Sequence, residues 1–359
     1  MFSNNQIYIN QTEATTNVKI DWQRFKNKSF FITGASGLIG TFLIDTLMCA
    51  SEKYGLNIKI YAVSRNEENA KNRFSDYWNN NHFTFIKHDV NETFITPNFQ
   101  LSTLNYIIHG ASNTHPLQYS QDPIGTIAAN VTGTQNILEF AAKQNHSRVM
   151  FLSSVEIYGE NRGDVDKFDE IYCGYIDCNT LRAGYPESKR LGEALCQAYI
   201  KAKNLDIVIP RLSRVYGPTM SESDSKAIAQ FIKKAVNKEN IILKSKGEQF
   251  FSYTYVSDAV TALLYILLHG ENGEAYNVSG DNSDIALKDL TETLADITGT
   301  KVIFELPDEI EASGYSKATK AVLDNSKLKV LGWESKFDIR TGLGRTVDIL
   351  NSSNEREMV

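Results

Sequence analysis

Short apolar runs alternate with amphipathic stretches through most of the chain, in the rhythm of strand followed by helix. Ser29–Thr33 reads SFFIT, too short for a helix and almost wholly apolar, as a strand buried on both faces of a parallel sheet should be. The turn GASGLIG follows, and Leu38–Met48 then carries apolar residues at helical spacing. Further strands are predicted at Ile58–Val63, Phe83–Ile86, Tyr106–His109, Val149–Leu152 and Asp206–Pro210. Helices are predicted at Ile127–Lys143 and from Tyr185 onward through KRLGEALCQAY. Later, Tyr253–Val256 leads into a helix at Ala259–His269, and Tyr276–Ser279 is read as the last strand of the main sheet. Ala227–Lys238 and Leu287–Thr298 are predicted helices, and Val302–Glu305 a short strand. Such alternation predicts an α/β fold with a doubly wound parallel sheet. Met1–Ile20 is rich in Asn, Gln and Thr with little period, and is expected to be a loose arm or a dimer contact. Asn351–Val359 is expected to be a frayed tail.

Composition narrows the partners. With 359 residues the chain can bury a sizeable core, as one large α/β unit or two joined domains. A net charge of −6 and a pI near 5.6 give no reason to expect nucleic acid or an anionic membrane as partner. No apolar run is long enough to span a bilayer and no signal sequence is evident, so the cytoplasm is the expected compartment. Cys49, Cys173, Cys178 and Cys196 lack metal-ligand spacing and are expected to be buried thiols in a reducing environment; no metal site is expected.

Candidate chemistry begins at the first turn. Gly34, Gly37 and Gly40 stand three apart, which differs from G-x-G-x-x-G but meets the same needs: a tight turn, close approach of backbone to a pyrophosphate, and close packing of helix on sheet. The helix N-terminus adds unpaired N–H groups and partial positive charge. Gly34, Ser36, Gly37, Leu38, Ile39 and Gly40 are therefore the candidate cofactor cradle, although a turn before a helix also needs glycine for steric reasons alone. Ser64 and Arg65 end the second strand, with no acidic residue before Glu67. A carboxylate there would accept from the ribose of NAD, whereas Arg suits the 2′-phosphate of NADP, so the sequence leans to NADP. Stacking on adenine or simple solvation are the other readings of Arg65. Asp89, with Val90 beside it, is placed to reach the adenine edge or is an ordinary loop aspartate. Gly110, Ala111 and Ser112 are small enough to let a cofactor pass. Asn130 is expected to brace the sheet.

The fifth strand delivers Ser153, Ser154 and Glu156 to the carboxyl end of the sheet, where ligands of such folds bind. Tyr185 and Lys189, four apart, share one helical face. A free tyrosine ionises near pH ~10 and is a poor base at neutrality; an ammonium one turn away is expected to favour the phenolate. Lys189 could also grip the nicotinamide ribose. Ser154 would bond the substrate oxygen while a hydroxyl loses its proton to Tyr185 and its carbon loses hydride to nicotinamide. Tyr-x-x-x-Lys alone is often a surface pair; the order glycine turn, serine, tyrosine, lysine gives it weight.

The blocks TGASGLIG, LSSVEIYG, YPESKRLGE, RLSRVYGP and YTYVSDAV resemble the extended short-chain dehydrogenase/reductase superfamily, in the branch that modifies nucleotide sugars. The resemblance runs from Phe30 to about Leu350. It implies a modified Rossmann domain of seven parallel strands, a tightly held NAD or NADP, and a smaller C-terminal lobe closing over a nucleotide-diphosphate sugar. In those terms the chain divides into an arm (1–28), a dinucleotide domain (29–211 and 253–279), a substrate lobe (212–252 and 280–350) and a tail (351–359). The resemblance further implies a homodimer built from the helices at Ile127–Lys143 and Tyr185–Lys203. Ser154, Tyr185 and Lys189 match the family's catalytic triad, and Gly34, Gly37 and Gly40 its phosphate turn.

Departures from the family pattern bear on the reaction. Relatives that eliminate water carry Asp–Glu after the serine or threonine; here the pair is Val155 and Glu156, and valine cannot protonate a leaving hydroxyl, which disfavours 4,6-dehydration. Decarboxylases of UDP-glucuronate share Ser-x-Glu, making Glu156 a catalytic candidate. They hold the sugar carboxylate with an arginine near a C-terminal Pro-Asp, where SKATKAVLD offers only Lys317 or Lys320. Epimerases need only the triad and room for a 4-keto sugar to turn over. The family's arginine before Y-V-x-D, which meets the diphosphate, corresponds to Phe251, and its R-x-x-N asparagine to Arg214. Arg214 is expected to take over anion recognition or else to form a structural ion pair. Ser153, Arg214 and Phe251 are the candidate substrate contacts. Three functions follow: an epimerase-type enzyme acting at hexose C4, an NADPH-dependent 4-ketoreductase, and an idle nicotinamide-binding module. The intact triad argues against the last.

Overall fold

In the computed structural model, which describes residues 2, 4–94, 104–114, 121–144, 146–305 and 319–357, SFFIT becomes β1 (Ser29–Thr33) with all five residues buried. Its neighbours are β2 (Lys59–Ser64) and β4 (Tyr106–His109), both parallel to it. β3 (Phe83–Lys87) extends the sheet beyond β2. On the other side lie β5 (Arg148–Phe151), β7 (Asp206–Leu212) and β11 (Ala275–Val278), with the two-residue β6 (Ser153–Ser154) beside β7. The order β11-β7-β5-β4-β1-β2-β3 is parallel throughout, the doubly wound sheet that the sequence predicts. Strand order reverses between β1 and β4, which opens a crevice at their carboxyl ends.

The first helix after β1, α2 (Leu38–Tyr54), follows α1 (Gln6–Thr16) in the chain, and α3 (Glu67–Arg73) follows β2. α4 (Pro123–Ala142) starts four residues before its predicted Ile127, because Asp122 accepts from the Gly125 N–H and Pro123 suits the first turn. α5 (Gly184–Lys203) packs beside α4. The lobe has its own sheet, in which β10 (Phe250–Tyr255) pairs with β8 (Arg214–Tyr216), β12 (Asp284–Ala286) and β14 (Lys320–Ala321). A second small pair joins β9 (Ile241–Leu243) to β13 (Val302–Phe304), under α6 (Ala227–Val236) and α8 (Leu287–Thr298). α7 (Val256–His269) returns to the main sheet; α9 (Ser326–Val330) and α10 (Ile339–Glu357) complete the chain.

Several expectations are corrected. Met1–Ile20 is not a loose arm: α1 is capped by Asn5, whose side chain accepts from the Tyr8 N–H, and it buries Tyr8, Thr12, Thr15 and Thr16 against α2 and α7. Thr15 Oγ1 meets Ser257 Oγ at 2.8 Å, and the Tyr8 hydroxyl donates to the buried carboxylate of Asp45. Polar side chains that bury by hydrogen bonding leave no apolar period to read. Nor is the segment after Asn351 wholly a tail, because α10 runs to Glu357 and Asn5 Nδ2 donates to Ile349 O at 2.8 Å and to the hydroxyls of Ser352 and Ser353. The domain boundary drawn between residues 252 and 253 cuts through β10, whose whole length belongs with the lobe sheet. The crossing back comes at Val256, three residues before the predicted helix start at Ala259. Of the cysteines, Cys196 is buried and Cys49 partly so, whereas Cys173 and Cys178 are exposed on the loop before α5. Among the described residues no helix is long and apolar enough to cross a membrane.

Deleting residues 1–17 is expected to lower the melting temperature by several degrees while cofactor binding persists, as measured by calorimetry and dinucleotide titration. An unchanged melting temperature would mean that α1 adds no net stability.

Candidate active site

A cavity of about 1050 Å³ lies between the carboxyl ends of the central strands and the lobe, and the glycine turn, Ser153, Ser154, Glu156, Tyr185, Lys189, Arg214 and Phe251 line it. At one end is the glycine turn. Gly34 has φ +70, and a Cβ there would stand 2.6 Å from the Gly110 carbonyl oxygen, so both the left-handed backbone and the close approach of the loop after β4 require glycine. A Cβ on Gly40 would lie 2.5 Å from the Gly34 oxygen. Gly37 precedes α2 with no side-chain cap, and no acidic residue lies in the first turn, which leaves the positive end of the helix open to an anionic ligand. A dinucleotide pyrophosphate fits that cradle, which Gly34, Ser36, Gly37, Leu38, Ile39 and Gly40 form.

At the adenosine end, Ser64, Arg65, Asp89 and Val90 line the cavity together. Arg65 Nη1 lies 3.9 Å from Asp89 Oδ2, and the arginine is 62% exposed, a weak rim pair that a ligand can displace. Under the middle of the cavity, Gly110, Ala111 and Ser112 follow β4. Asn130 braces this loop: it accepts from Ser112 Oγ at 2.6 Å and donates to Ser188 Oγ of α5 at 2.9 Å. His109, which the sequence did not single out, sits between the hydroxyls of Thr33 and Thr134, and burial pulls its imidazole down to about 3, so it stays neutral.

At the far end, Ser154 and Tyr185 are joined by a hydrogen bond. Lys189 is buried, donates to the Leu152 carbonyl oxygen at 2.9 Å, and lies 4.9 Å above the Phe151 ring. Burial pulls Lys189 down to about 8 and pushes the Tyr185 phenol up to about 12. The Ser154 bond and Arg182 pull the phenol down and Glu156 pushes it up, all less strongly than burial. Lys189 is not among the groups that shift the phenol, so the phenolate expected from an ammonium one turn away is not favoured here. The Lys189 ammonium is directed to the carbonyl of Leu152, and desolvation of the phenol outweighs the neighbouring charges.

Glu156 lies between two arginines, 3.3 Å from Arg182 Nη2 and 3.7 Å from Arg214 Nη2. The Arg214 guanidinium rests 3.6 Å above the centre of the buried Phe251 ring. Arg214 thus makes the ion pair that was one of its two readings. Ser153, expected to touch substrate, lines the cavity, but its hydroxyl donates to Glu193 Oε1 at 2.5 Å. That carboxylate also receives Arg211, so the Ser153 hydroxyl belongs to a structural network. Lys320, one of two candidates for holding a sugar carboxylate, donates to Asp166 and does not line the cavity; Lys317 lies outside the described residues. Arg182, in the short turn before α5, and the lobe residues Asp224, Gln230 and Gln249 were missed. No period or motif marks them, since closure of the lobe over the sheet sets their position. Among the described residues no cluster of His, Cys, Asp or Glu could hold a metal ion.

Residues 30–279 match the NAD dependent epimerase/dehydratase family. The chain belongs to that family. UDP-glucuronic acid decarboxylase 3 of Arabidopsis thaliana is 30% identical over 318 residues, covering 88% of this chain and 87% of the relative. Among solved structures, UDP-glucose 4-epimerase from Thermotoga maritima superposes with TM-score 0.77 at 23% identity, covering 91% of this chain and 99% of that one. UDP-glucuronic acid 4-epimerase from Bacillus cereus gives 0.76 at 21% identity, covering 90% and 99%. As a member of the epimerase/dehydratase family, the protein is an enzyme that uses NAD or NADP.

Lys189 offers a pH test. Its folded-state value near 8 lies below the ordinary 10.5, so between those limits the folded protein binds fewer protons than the unfolded chain. Its contribution to stability therefore rises with pH across that window. Denaturation of the wild type and Lys189→Met between about pH 7 and 10.5 should show the wild type gaining on the variant. A constant difference would mean that the ammonium is not desolvated.

Proposed function

We propose that the protein oxidises the hexose of a nucleotide-diphosphate sugar at C4 and re-reduces the transient 4-keto sugar with the same bound nicotinamide, an epimerase-type reaction. The observation that carries this reading is the hydrogen-bonded pair Ser154–Tyr185 in one cavity with the glycine cradle. The nicotinamide, when bound, accepts hydride and returns it. Tyr185 takes the proton of the C4 hydroxyl and gives it back; a phenol pushed up to about 12 is a strong base once ionised. Ser154 holds the same oxygen, and Lys189 fixes the helix that carries Tyr185 by its bond to Leu152. The substrate class is supported by the curated relatives named as UDP-glucuronic acid decarboxylases and by the epimerase neighbours.

A second reading has support of its own. A ketone at C4 is β to the C6 carboxylate of a hexuronate, so the C5–C6 bond can break with its electrons passing into the enolate and carbon dioxide leaving. Ser154-x-Glu156 and the 30%-identical decarboxylase favour this outcome. The Arg65 end keeps a third open, net 4-ketoreduction with NADPH.

Mass spectrometry of products from UDP-, dTDP-, GDP- and CDP-sugars separates these outcomes. An epimer conserves mass, decarboxylation loses carbon dioxide, and ketoreduction consumes NADPH. Tyr185→Phe is expected to lower turnover by about 10²- to 10⁴-fold with the cofactor still bound; undiminished turnover would remove its acid/base role.

We also propose a homodimer through α4 and α5, where Ile124, Ile127 and Leu191 are exposed. Light scattering should give twice the mass of one chain, and Ile124→Glu with Leu191→Glu should give one. A monomeric wild type would rule the dimer out.

A further inference from the structure

Arg214 Nη1 is buried and has no hydrogen-bond partner among the described residues. The rest of the guanidinium is held. Nη2 lies 3.7 Å from Glu156, the Phe251 ring supports the flat face, and β8 pairs Arg214 with Tyr253 of β10. A buried N–H left unpaired is unfavourable, more so when it carries charge. A cation fixed in this way in a ligand cavity is prepared for an anion that is not part of the protein.

Charge and position indicate which anion. Arg182 and Arg214 flank the single carboxylate of Glu156, which meets Arg214 through Nη2 and leaves its Nη1 for one further anionic oxygen. Of the other cations along the cavity, Lys189 is held at Leu152 O, Lys226 at Asp224, Lys234 at Glu239, and Arg65 lies at the adenosine end. Glu156 in turn touches the reacting end, since its N–H donates to Ser154 Oγ at 3.2 Å and Ser154 bonds Tyr185. On a hexopyranose whose C4 oxygen meets Ser154 and Tyr185, C6 stands on the carbon next to C4, whereas the diphosphate hangs from C1 across the ring.

We propose that Arg214 is a specificity-determining residue that pairs with a carboxylate at C6, so that the substrate is a nucleotide hexuronate rather than a neutral hexose. Phe251 and Glu156 are positioning residues: the ring keeps the guanidinium flat, and the carboxylate holds Nη2 and leaves Nη1 for the ligand. The inference rests on the nucleotide-sugar reading and narrows it.

Binding of UDP-glucuronate and of UDP-glucose to NAD-loaded protein tests it, in a Tyr185→Phe background that prevents turnover. Arg214→Gln should weaken UDP-glucuronate by about 10- to 100-fold and leave UDP-glucose within about twofold. Arg214→Lys, which keeps the charge and loses the planar fork, should fall between, and it maintains the test should the glutamine variant fail to fold. Equal weakening of both ligands would assign Arg214 to the diphosphate and overturn the proposal. Unchanged binding of both with a lowered melting temperature would make it a structural ion pair, and would overturn the proposal while the nucleotide-sugar reading survived. If the Arg214-containing protein bound neither ligand, that reading itself would fail and this one with it.

Discussion

A buried ammonium has to find an acceptor, and the one that Lys189 finds determines where Tyr185 is held. Its bond to the Leu152 carbonyl ties α5 to the end of β5 at a fixed height. Tyr185, one turn earlier on α5, is thereby set beside Ser154, two residues beyond Leu152. Burial accounts for the opposed shifts of the two side chains. Both have been taken out of water, so the base is made less basic and the acid less acidic than either would be on a surface. Placed in this way, the phenol holds its proton more firmly than a free tyrosine and the ammonium holds its own less firmly than a free lysine.

The lobe is joined to the sheet by polar groups that saturate one another. Arg211 at the end of β7 makes a bidentate contact with Glu193 of α5 and donates to the hydroxyl of Tyr158, which donates to Asn277 of β11. Asn277 Nδ2 donates to the carbonyls of Phe168 and Asp324, so the long loop before α5 and the segment after β14 meet on one side chain. Asp258 works similarly at the first turn of α7, accepting from the N–H groups of Lys336 and Phe337. These contacts link segments far apart in sequence, and a partly satisfied network of this kind would be worse than none.

Much of the main sheet was legible because parallel strands covered on both faces read as unbroken apolar runs, and Tyr185 with Lys189 because helical spacing is local. Other features depend on contacts that spacing does not encode. α1 buries threonines, and α10 continues through Asn351, Ser352 and Ser353 because Asn5 meets them there. β8 has three residues and β14 two, too few for any period. Ser153 looked like a ligand contact by its position, yet Glu193, forty residues away, takes its hydroxyl. Likewise the ionisation expected of Tyr185 followed from distance along a helix, whereas burial, invisible in the sequence, dominates it.

The contacts of Asn5 also order events during synthesis. α1 precedes in the chain the groups that complete its seat, Ser257 on α7 and Ile349, Ser352 and Ser353 on α10, whereas α2, on which it also packs, follows it closely. A growing chain can lay α1 on α2 through Tyr8 and Asp45 long before the Asn5 cap and the face toward α7 are covered. Until then one face of α1 stands in water, and its Thr and Gln side chains let it do so without adhering to other chains.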